Sequence, residues 1–293
     1  MNRNALKRCA AGLALSAAIF GPSTHLEAWG GQGHRLVGLI AFNHLTSIAR
    51  QNVAWLLGKQ SLADIASWAD SRVSDEQQTA PWHYLNIPPG ATGYDRDRDC
   101  PRQPGVAAGS RGDKWRDCAV DRITYFEQRL ADTSLDRLDR GTALKYLVHF
   151  VGDLHQPFHA LGVGRGGNDV LVRVFGSANC SNDPARTAPC NLHSVWDSRL
   201  ISHRRLDEAP YLIVLERQIA EKHLAGQPPG TPEEWAVQSW SLGKAALVPQ
   251  DTDITEAYYK TNIPIVETRL ALAGVRLAAV LNRVFAAPPP ANR

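Results

Sequence analysis

The stretch from residue 144 to residue 159 reads LKYLVHFVGDLHQPFH, and it combines a helical pattern with an unusual set of polar residues. His149 and Asp153 are four residues apart, so one face of a helix presents an imidazole and a carboxylate one turn from each other. Pro157 ends this helix, and His159 can then approach the same place from the following loop. The spacing is typical of metal ligands.

A second pair, His193 and Asp197, repeats the four-residue spacing on another predicted helix. Alone, such a pair is usually a surface hydrogen bond or a capped helix end. Asp70 and His83, however, lie among apolar residues that would otherwise be core, where a carboxylate is costly unless it is paired or bound to a cation. The joint pattern predicts a metal centre that is closed by two or more helices.

The remaining histidines are expected to have other roles. His155 lies between the predicted ligands, but its spacing from Asp153 puts it on a different side of the helix. We expect it to orient the ligands or to belong to the core. His44, His203 and His223 are expected to be ordinary helix residues.

Helical periodicity dominates the rest of the chain, and Ser61 is placed to cap the start of a helix. Further amphipathic stretches are predicted at 119–130, 144–154, 193–201, 210–225, 232–247 and 263–285. Strand signal is confined to residues 170–175, after a Gly-rich turn, so we expect at most a small β-hairpin near 164–175. The predicted fold class is all-α, mainly helical.

The N-terminal 28 residues have the layout of a secretory signal peptide. Basic Arg3, Lys7 and Arg8 precede an apolar stretch, and a small residue stands at Ala28. The apolar run is too short to anchor the chain in a membrane. We expect cleavage after Ala28 and export to a periplasm or secretion, and an uncleaved leader is the alternative.

This interpretation divides the chain into three parts. Residues 1–28 are the signal peptide, residues 29–286 form a single α-helical domain, and residues 287–293 form a disordered Pro-rich tail. No long linker suggests a second domain. We expect a monomer.

Cysteine use agrees with export. Without the leader, four cysteines remain in two sequence-local pairs, for which we expect the disulfides Cys100–Cys118 and Cys180–Cys190. Spacing alone does not fix this connectivity. Their flanks carry no Cys-x-x-Cys spacing, which favours disulfides over a zinc site.

The net charge argues against a generally basic surface. The whole chain has a formal net charge of +3, and removal of the leader leaves about +1 by the same count. A polyanionic substrate would therefore be attracted by metal ions in a local site.

In its motifs the chain resembles the S1/P1 nuclease family of secreted zinc-dependent nucleases. The motifs occur in family order: Trp-Gly-x-x-Gly-His from Trp29 to His34, Trp-Ala-Asp ending at Asp70, His83, the string from His149 to His159, and the pair His193 and Asp197. The resemblance implies a phospholipase C/P1 nuclease-like helical fold.

The resemblance also implies three Zn²⁺ ions and their ligands. Asp70, His83, His149 and Asp153 would hold the first ion, and His159, His193 and Asp197 the second. Trp29 would join His34 and Asp153 around the third through its α-amino nitrogen and carbonyl oxygen, with Asp153 as the bridging carboxylate. Signal-peptide removal would then free a ligand, because a peptide nitrogen binds zinc poorly.

The implied activity is hydrolysis of single-stranded DNA and RNA to 5′-phosphorylated products, with phosphate removal from 3′-mononucleotides as a companion activity. Tyr84 and Asn86 match positions that stack and hydrogen-bond a base, although Tyr84 is equally explained as a half-buried aromatic. Asn168 is expected to line the same cleft, and a turn residue without a function is the alternative. Where the family commonly has a basic residue this chain has Val73, and Arg72 is the candidate catalytic substitute.

Two other functions use the same ligands. A zinc-dependent phospholipase C also has an N-terminal Trp and three zinc ions, and would act on lipid head groups. A non-enzymatic zinc-binding protein of the cell envelope would have saturated coordination and no open position.

Overall fold

The computed structural model describes residues 29–181, 183 and 185–289. The predicted signal peptide at 1–28 and the end of the Pro-rich tail at 290–293 lie outside the described residues. Within the described part, the chain is mainly helical, as predicted.

The α-helices, in chain order, are α1 Gly31–Asn43, α2 Ser47–Leu57, α3 Leu62–Ile65, α4 Trp68–Val73, α5 Arg96–Asp99, α6 Ala119–Ala131, α7 Arg137–His155, α8 Gly164–Gly167, α9 Leu192–Ser194, α10 Leu200–His203, α11 Glu208–Glu221, α12 Pro232–Ala245 and α13 Glu256–Val284. Short 3₁₀ helices span Gln77–His83, Arg111–Lys114, Pro157–His159 and Leu224–Gly226. A π-helix at Val195–Arg199 joins α9 to α10.

Helix α3 begins at the capping residue that the sequence indicates, and α12 begins at a similar one. Ser61 caps α3 in a capping box with Asp64, and Thr231 caps α12 in a second box with Glu234. In each box the cap side chain accepts from a free backbone amide, and the acidic side chain accepts from the cap's own amide. These bonds satisfy donors that the first turn of a helix leaves open.

Two predicted helix starts are wrong by seven residues. Helix α7 begins at Arg137, after the N-cap Asp136, and α13 begins at Glu256 and continues through Pro264. The first turns of α7 lack an apolar face, since Leu138 is 80% exposed, so periodicity does not mark them. The predicted start of α13 at residue 263 lies beside Pro264. The helix in fact begins earlier and contains this proline in its interior.

Helix α7 lies at the centre of the molecule. It packs against α6, α12 and α13. Helix α1 packs against α13, α3 and α11. Every residue from Tyr146 to His155 is buried, so this half of α7 has no exposed face. Phe126 of α6 stacks on Tyr146, which in turn stacks on Phe150. The predicted ligands of α7 therefore lie inside the core.

The small sheet differs from the predicted hairpin. Strand β1, Arg173–Val174, pairs in parallel with β2, Asp253–Ile254, which comes from much later in the chain. The apolar alternation at 170–175 locates the first strand but cannot reveal a distant partner. The Gly-rich segment before it forms the turn α8.

Both predicted disulfides are present. Cys100 bonds to Cys118, and Cys180 bonds to Cys190. Among the described helices, none combines the length and the apolar character that a membrane span requires.

Gly274 marks the closest approach of α13 to α1, and it provides a test of this packing. A Cβ at Gly274 would lie 2.5 Å from Cβ of Ile40, so Gly274→Ala must separate the two helices. We expect the free energy of unfolding to fall by about 1–3 kcal/mol, the usual cost of overpacking a core. Gly141→Ala is the matched control, because its Cβ would meet only the Leu56 carbonyl oxygen at 3.8 Å. Chemical denaturation measures both, and equal stability of the two variants would contradict the packing.

Candidate metal centre

The predicted ligands come from six parts of the chain and meet around the C-terminal half of α7. Helix α1 carries His34, α4 carries Asp70, and the 3₁₀ helix Gln77–His83 ends at His83. Helix α7 contributes His149 and Asp153, the 3₁₀ helix after it contributes His159, and α9 with the π-helix contributes His193 and Asp197. All eight side chains are buried.

His149 is the meeting point of the first group. Its Nε2 lies 3.2 Å from Oδ1 of Asp70, 3.2 Å from Oδ2 of Asp153 and 3.0 Å from Nδ1 of His83. His83 Nδ1 is also 3.0 Å from Oδ2 of Asp153. Two imidazoles and two carboxylates thus point their ligand atoms at one small volume.

Asp153 connects this group to a second one. Its other oxygen, Oδ1, lies 3.2 Å from Nε2 of His34, whose ring stacks on His149 at 4.2 Å. Trp29 precedes α1 and is fully buried. The backbone amide of Gly30 donates to the Asp197 carbonyl oxygen at 2.7 Å, which ties the start of the described chain to the other side of the centre.

The third group consists of His159, His193 and Asp197. The Nε2 atoms of the two histidines are 3.1 Å apart, and His193 Nε2 lies 3.3 Å from Oδ2 of Asp197. Asp197 belongs to the π-helix, a type of turn that occurs often at functional sites. The buried amide of Gln156 donates to its other oxygen, Oδ1, and so orients the carboxylate.

Backbone carbonyls fix three of the imidazoles. Nδ1 of His149 donates to Ala66 O at 2.7 Å, Nδ1 of His159 to His83 O at 2.8 Å, and Nδ1 of His193 to Gly166 O at 2.7 Å. Each bond places the Nδ1 proton on the carbonyl side and leaves Nε2 facing the centre. This is how ligand histidines are usually oriented.

The electrostatics keep most of these groups in the state that a metal needs. Burial and the neighbouring His159 lower the pKa of His193 to about 3, and burial also lowers the pKa of His159 and of His34. These imidazoles are neutral near pH 7.

The pair on α7 behaves differently, because it is mutually charged. Burial opposes charge on His149, but Asp153 and Asp70 outweigh burial and hold the pKa of His149 well above its ordinary value. Burial would likewise raise the pKa of Asp153, yet His149 and its other imidazole neighbours hold that pKa well below its usual range. A bound cation would take the place of the proton on His149.

The contact between His159 and His193 tests whether a metal ion fits. Both Nδ1 protons are donated to carbonyls, and burial keeps both rings neutral, so two lone pairs face each other at 3.1 Å with no proton between them. Such an arrangement is repulsive unless a cation lies between the nitrogens.

Unsatisfied polar atoms in the first two groups support the same fit. Within the described residues, both oxygens of Asp70, Oδ1 of Asp153, both nitrogens of His34 and Nε2 of His83 are buried without a hydrogen bond. Unpaired polar atoms are costly in a core, and a cluster of them requires an explanation. Divalent metal binding supplies one. A further cluster at Cys100, Cys118 and Asp121 has no such role, because its cysteines form a disulfide.

A cavity of about 150 Å³ opens onto the metal centre. His83, His159 and His193 of the centre line it. Tyr84, Asn86 and Asn168, the three residues predicted to contact a base, also line it, together with Val73 and Arg165. At least one side of the candidate centre is therefore accessible to a ligand.

The structure does not bring Arg72 into this cavity. Its guanidinium pairs with Glu76 at 2.7 Å and with Asp75 at 3.4 Å, and it lies over the ring of Trp68. The neighbouring Val73 faces the cavity instead, as expected for positions about 100° apart on a helix.

The histidines outside the centre are close to expectation. His155 is a core residue, whose Nδ1 donates to Val151 O and whose Nε2 accepts from Arg276. His203 ends α10, as expected, but His44 is not helical: it is the residue after α1, and it pairs with Glu216. His223 is not helical, because its φ of 52° places it in the left-handed region after α11.

Two residues that shape the centre carry no signal in the sequence. Gln156 orients Asp197 and, through its side-chain oxygen, accepts from the Phe158 amide. Gly152 makes room for His34, because a Cβ there would lie 2.8 Å from His34 Nδ1. Gly152 lies within the quoted stretch at 144–159, but its role becomes visible only where α1 crosses α7 in the structure.

Gly152→Ala tests whether the close approach of α1 holds a ligand in place. The added methyl group displaces His34 from Asp153, so we expect fewer bound zinc ions per molecule, measured by inductively coupled plasma mass spectrometry after dialysis. The affinity loss is expected to be about 10–100-fold, as for other changes that reorient a ligand. Gly141→Ala on the same helix is the control. Full metal content in Gly152→Ala would show that His34 is not a ligand.

Comparison with known proteins agrees with this geometry. The S1/P1 Nuclease family model matches residues 29–286. The chain is 30% identical to Nuclease PA3 of a Penicillium species, covering 87% of this chain and 97% of that protein. It is 30% identical to Endonuclease 2 of Arabidopsis thaliana, covering 89% and 92%. It is 29% identical to Nuclease S1 of Aspergillus oryzae, covering 94% and 98%. The resemblance seen in the motifs is confirmed, and the chain belongs to the S1/P1 nuclease family.

Proposed function

We propose that this protein is an exported, zinc-dependent phosphodiesterase. It hydrolyses single-stranded DNA and RNA to 5′-phosphorylated products and removes phosphate from 3′-mononucleotides. The observation that carries the proposal is the pair of opposed Nε2 lone pairs on His159 and His193 beside the open cavity. A cation between them would border the cavity, where a phosphate can reach it.

In this proposal three Zn²⁺ ions share nine ligands. The first is held by Asp70, His83, His149 and Asp153, the second by His159, His193 and Asp197, and the third by Trp29, His34 and Asp153. The contacts of Asp153 support its bridging role, because one oxygen faces His34 and the other faces His83 and His149. His and Asp are the ligands that zinc takes in catalytic sites.

The reaction adds water across the bond between phosphorus and the 3′ oxygen, so the 3′ oxygen leaves with a proton and the phosphate stays on the 5′ side. Zinc, when bound, supplies a water nucleophile at neutral pH and stabilises the charge on the phosphoryl oxygens. The protein keeps His159 and His193 neutral through burial and holds Asp153 ionised. Gln156 keeps Asp197 in one orientation.

The shape of the cavity supports a single-stranded substrate. A volume of about 150 Å³ admits one aromatic ring, so a base must leave a duplex to enter. Tyr84, half-buried at the end of its 3₁₀ helix, offers a stacking surface, and the Asn86 amide can both donate and accept. Asn168 is held by its own bond to Arg165 O and also lines the cavity.

Export completes the proposal. Residues 29–286 form one nuclease domain, and cleavage after Ala28 frees the α-amine of Trp29 as a ligand. The complete burial of the Trp29 side chain and the bond from Gly30 to Asp197 support a terminus that is held at the metal centre. Leader removal and zinc loading are then consecutive steps.

Asp153→Ala tests the bridging carboxylate in protein that begins at Trp29. We expect about three zinc ions in the wild type and fewer in the variant, with nuclease activity reduced by about 100-fold or more, because two ions lose a ligand at once. Zinc content and the release of acid-soluble nucleotides from single-stranded DNA and RNA provide the measurements.

Two further proteins serve as controls. Asp207→Ala removes an exposed carboxylate at the start of α11 and should keep both zinc and activity. A version that retains Ala28 should lose only the third zinc ion if the α-amine is a ligand. Full zinc with no nucleotide release would favour the envelope zinc-binding protein, and hydrolysis of a phosphocholine ester in its place would favour the phospholipase C.

Tyr84→Ala tests the stacking surface. Loss of the ring should raise KM for single-stranded DNA by about fivefold to a hundredfold, since base stacking on an aromatic side chain is worth about 1–3 kcal/mol. Tyr84→Phe keeps the ring and should retain most of the affinity. Equal KM values for the two variants would contradict a stacking role.

A further inference from the structure

Arg165 is the feature of the cavity that the proposed chemistry does not use. Of the described residues that line the cavity, it is the one lysine or arginine. Arg72, the other basic residue near the site in sequence, is engaged by Glu76 and Asp75 away from the cavity. Arg165 is therefore the guanidinium that a polyanion can contact inside the cavity.

The backbone holds Arg165 in a conformation that arginine rarely adopts. Its φ is 50° and its ψ is 54°, and Gly164, Gly166 and Gly167 on either side also have positive φ values. Glycine adopts this region freely, whereas a residue with a Cβ is strained there. A side chain kept at a strained position beside a cavity suggests a use for that side chain.

The turn that carries Arg165 is also fixed to the metal centre. A Cβ on Gly166 would lie 2.6 Å from Phe158 O, so the turn approaches the His159 segment as closely as backbone allows. The carbonyl of Gly166, one residue from Arg165, accepts from His193 Nδ1 at 2.7 Å. The position of Arg165 relative to His193 is therefore set by a short, rigid connection.

The charge of Arg165 is available to a ligand. Its side chain is 76% exposed, and its guanidinium forms a forked contact with Asp169, at 2.9 Å from Nε and 2.6 Å from Nη2 to Oδ1. Exposed ion pairs contribute little free energy, so a phosphate can replace the carboxylate. The guanidinium fork fits a phosphate in the same two-point manner.

We propose that Arg165 binds a backbone phosphate next to the bond that is cut, and that it thereby selects oligonucleotides over 3′-mononucleotides. The inference rests on the proposed function. In a 3′-mononucleotide the single phosphate lies at the metal centre, and nothing reaches Arg165. In an oligonucleotide a neighbouring phosphate displaces Asp169 and pairs with the guanidinium.

The test compares Arg165→Gly with the wild type on a ten-nucleotide oligothymidylate and on thymidine 3′-monophosphate. Glycine suits the positive φ, so the fold and zinc content should be kept while the charge is lost. We expect the ratio of kcat/KM for the oligonucleotide to that for the mononucleotide to fall about fivefold, through KM, as for loss of one exposed charge contact. The slope of log KM against log salt should decrease by about 0.7, the value for one phosphate on a single strand.

Three variants separate a phosphate contact from a structural role. Arg165→Lys keeps the charge and should restore most of the salt slope. Asp169→Asn removes the competing carboxylate and should lower KM for the oligonucleotide about twofold, an effect that must vanish in the Arg165→Gly background. Arg283→Ala removes an exposed arginine of α13 that pairs with Glu127, outside the cavity lining, and should change neither quantity.

The outcomes distinguish this inference from the proposed function. An active wild type together with an Arg165→Gly variant that keeps its substrate ratio and salt slope would overturn the inference alone. A zinc-loaded wild type that hydrolyses neither substrate would overturn the proposed function and the inference with it. Equal losses of the substrate ratio and the salt slope in Arg165→Gly and Arg165→Lys would also overturn the inference, because they would point to geometry and not to charge.

Discussion

The constraint on which the structure depends is the burial of ionisable residues on a helix with no exposed face. His149 and Asp153 lie in the part of α7 that is buried on every side. A carboxylate and an imidazole are stable there only if other groups compensate their polarity. The arrangement around them follows from that requirement: two more imidazoles, a second carboxylate and a series of backbone carbonyls that orient the rings. A divalent cation completes the compensation, which is why the same residues that threaten the core can serve as a catalytic centre.

Close approach of backbone is the second condition for this centre. The predicted ligands come from segments that are far apart in sequence. They can meet because glycines, which have no side chain, lie where the segments cross. Gly152 admits the ring of His34, and Gly166 lets its turn reach Phe158 O while its carbonyl orients His193. The π-helix at Val195–Arg199 then carries Asp197 toward Gln156. The positions of the site residues therefore depend on glycines, which have no side chain, as much as on the larger residues.

The sequence predicted which polar side chains meet far better than it predicted their surroundings. His149, Asp153, His193 and Asp197 could be predicted because four-residue spacing is a local property of a helix. The helical class and both disulfides followed from periodicity and from sequence-local cysteines. The partner of β1 and the starts of α7 and α13 could not be predicted, since pairing across the chain and polar first turns leave no periodic signal. Gln156, Gly152 and Arg165 were missed for a related reason: their roles exist only once segments have crossed.

The buried half of α7 also joins the stability of the protein to the supply of metal in its surroundings. Without a cation, the core contains unsatisfied carboxylate and imidazole atoms at its centre, and the folded state loses part of its advantage over the unfolded chain. A ligand at 100 times its dissociation constant stabilises the folded state by about 2.7 kcal/mol per site, and several sites add their effects. Surroundings poor in the metal would thus contain a less stable protein that proteases remove sooner. The amount of nuclease would then follow the availability of the metal without any dedicated regulator.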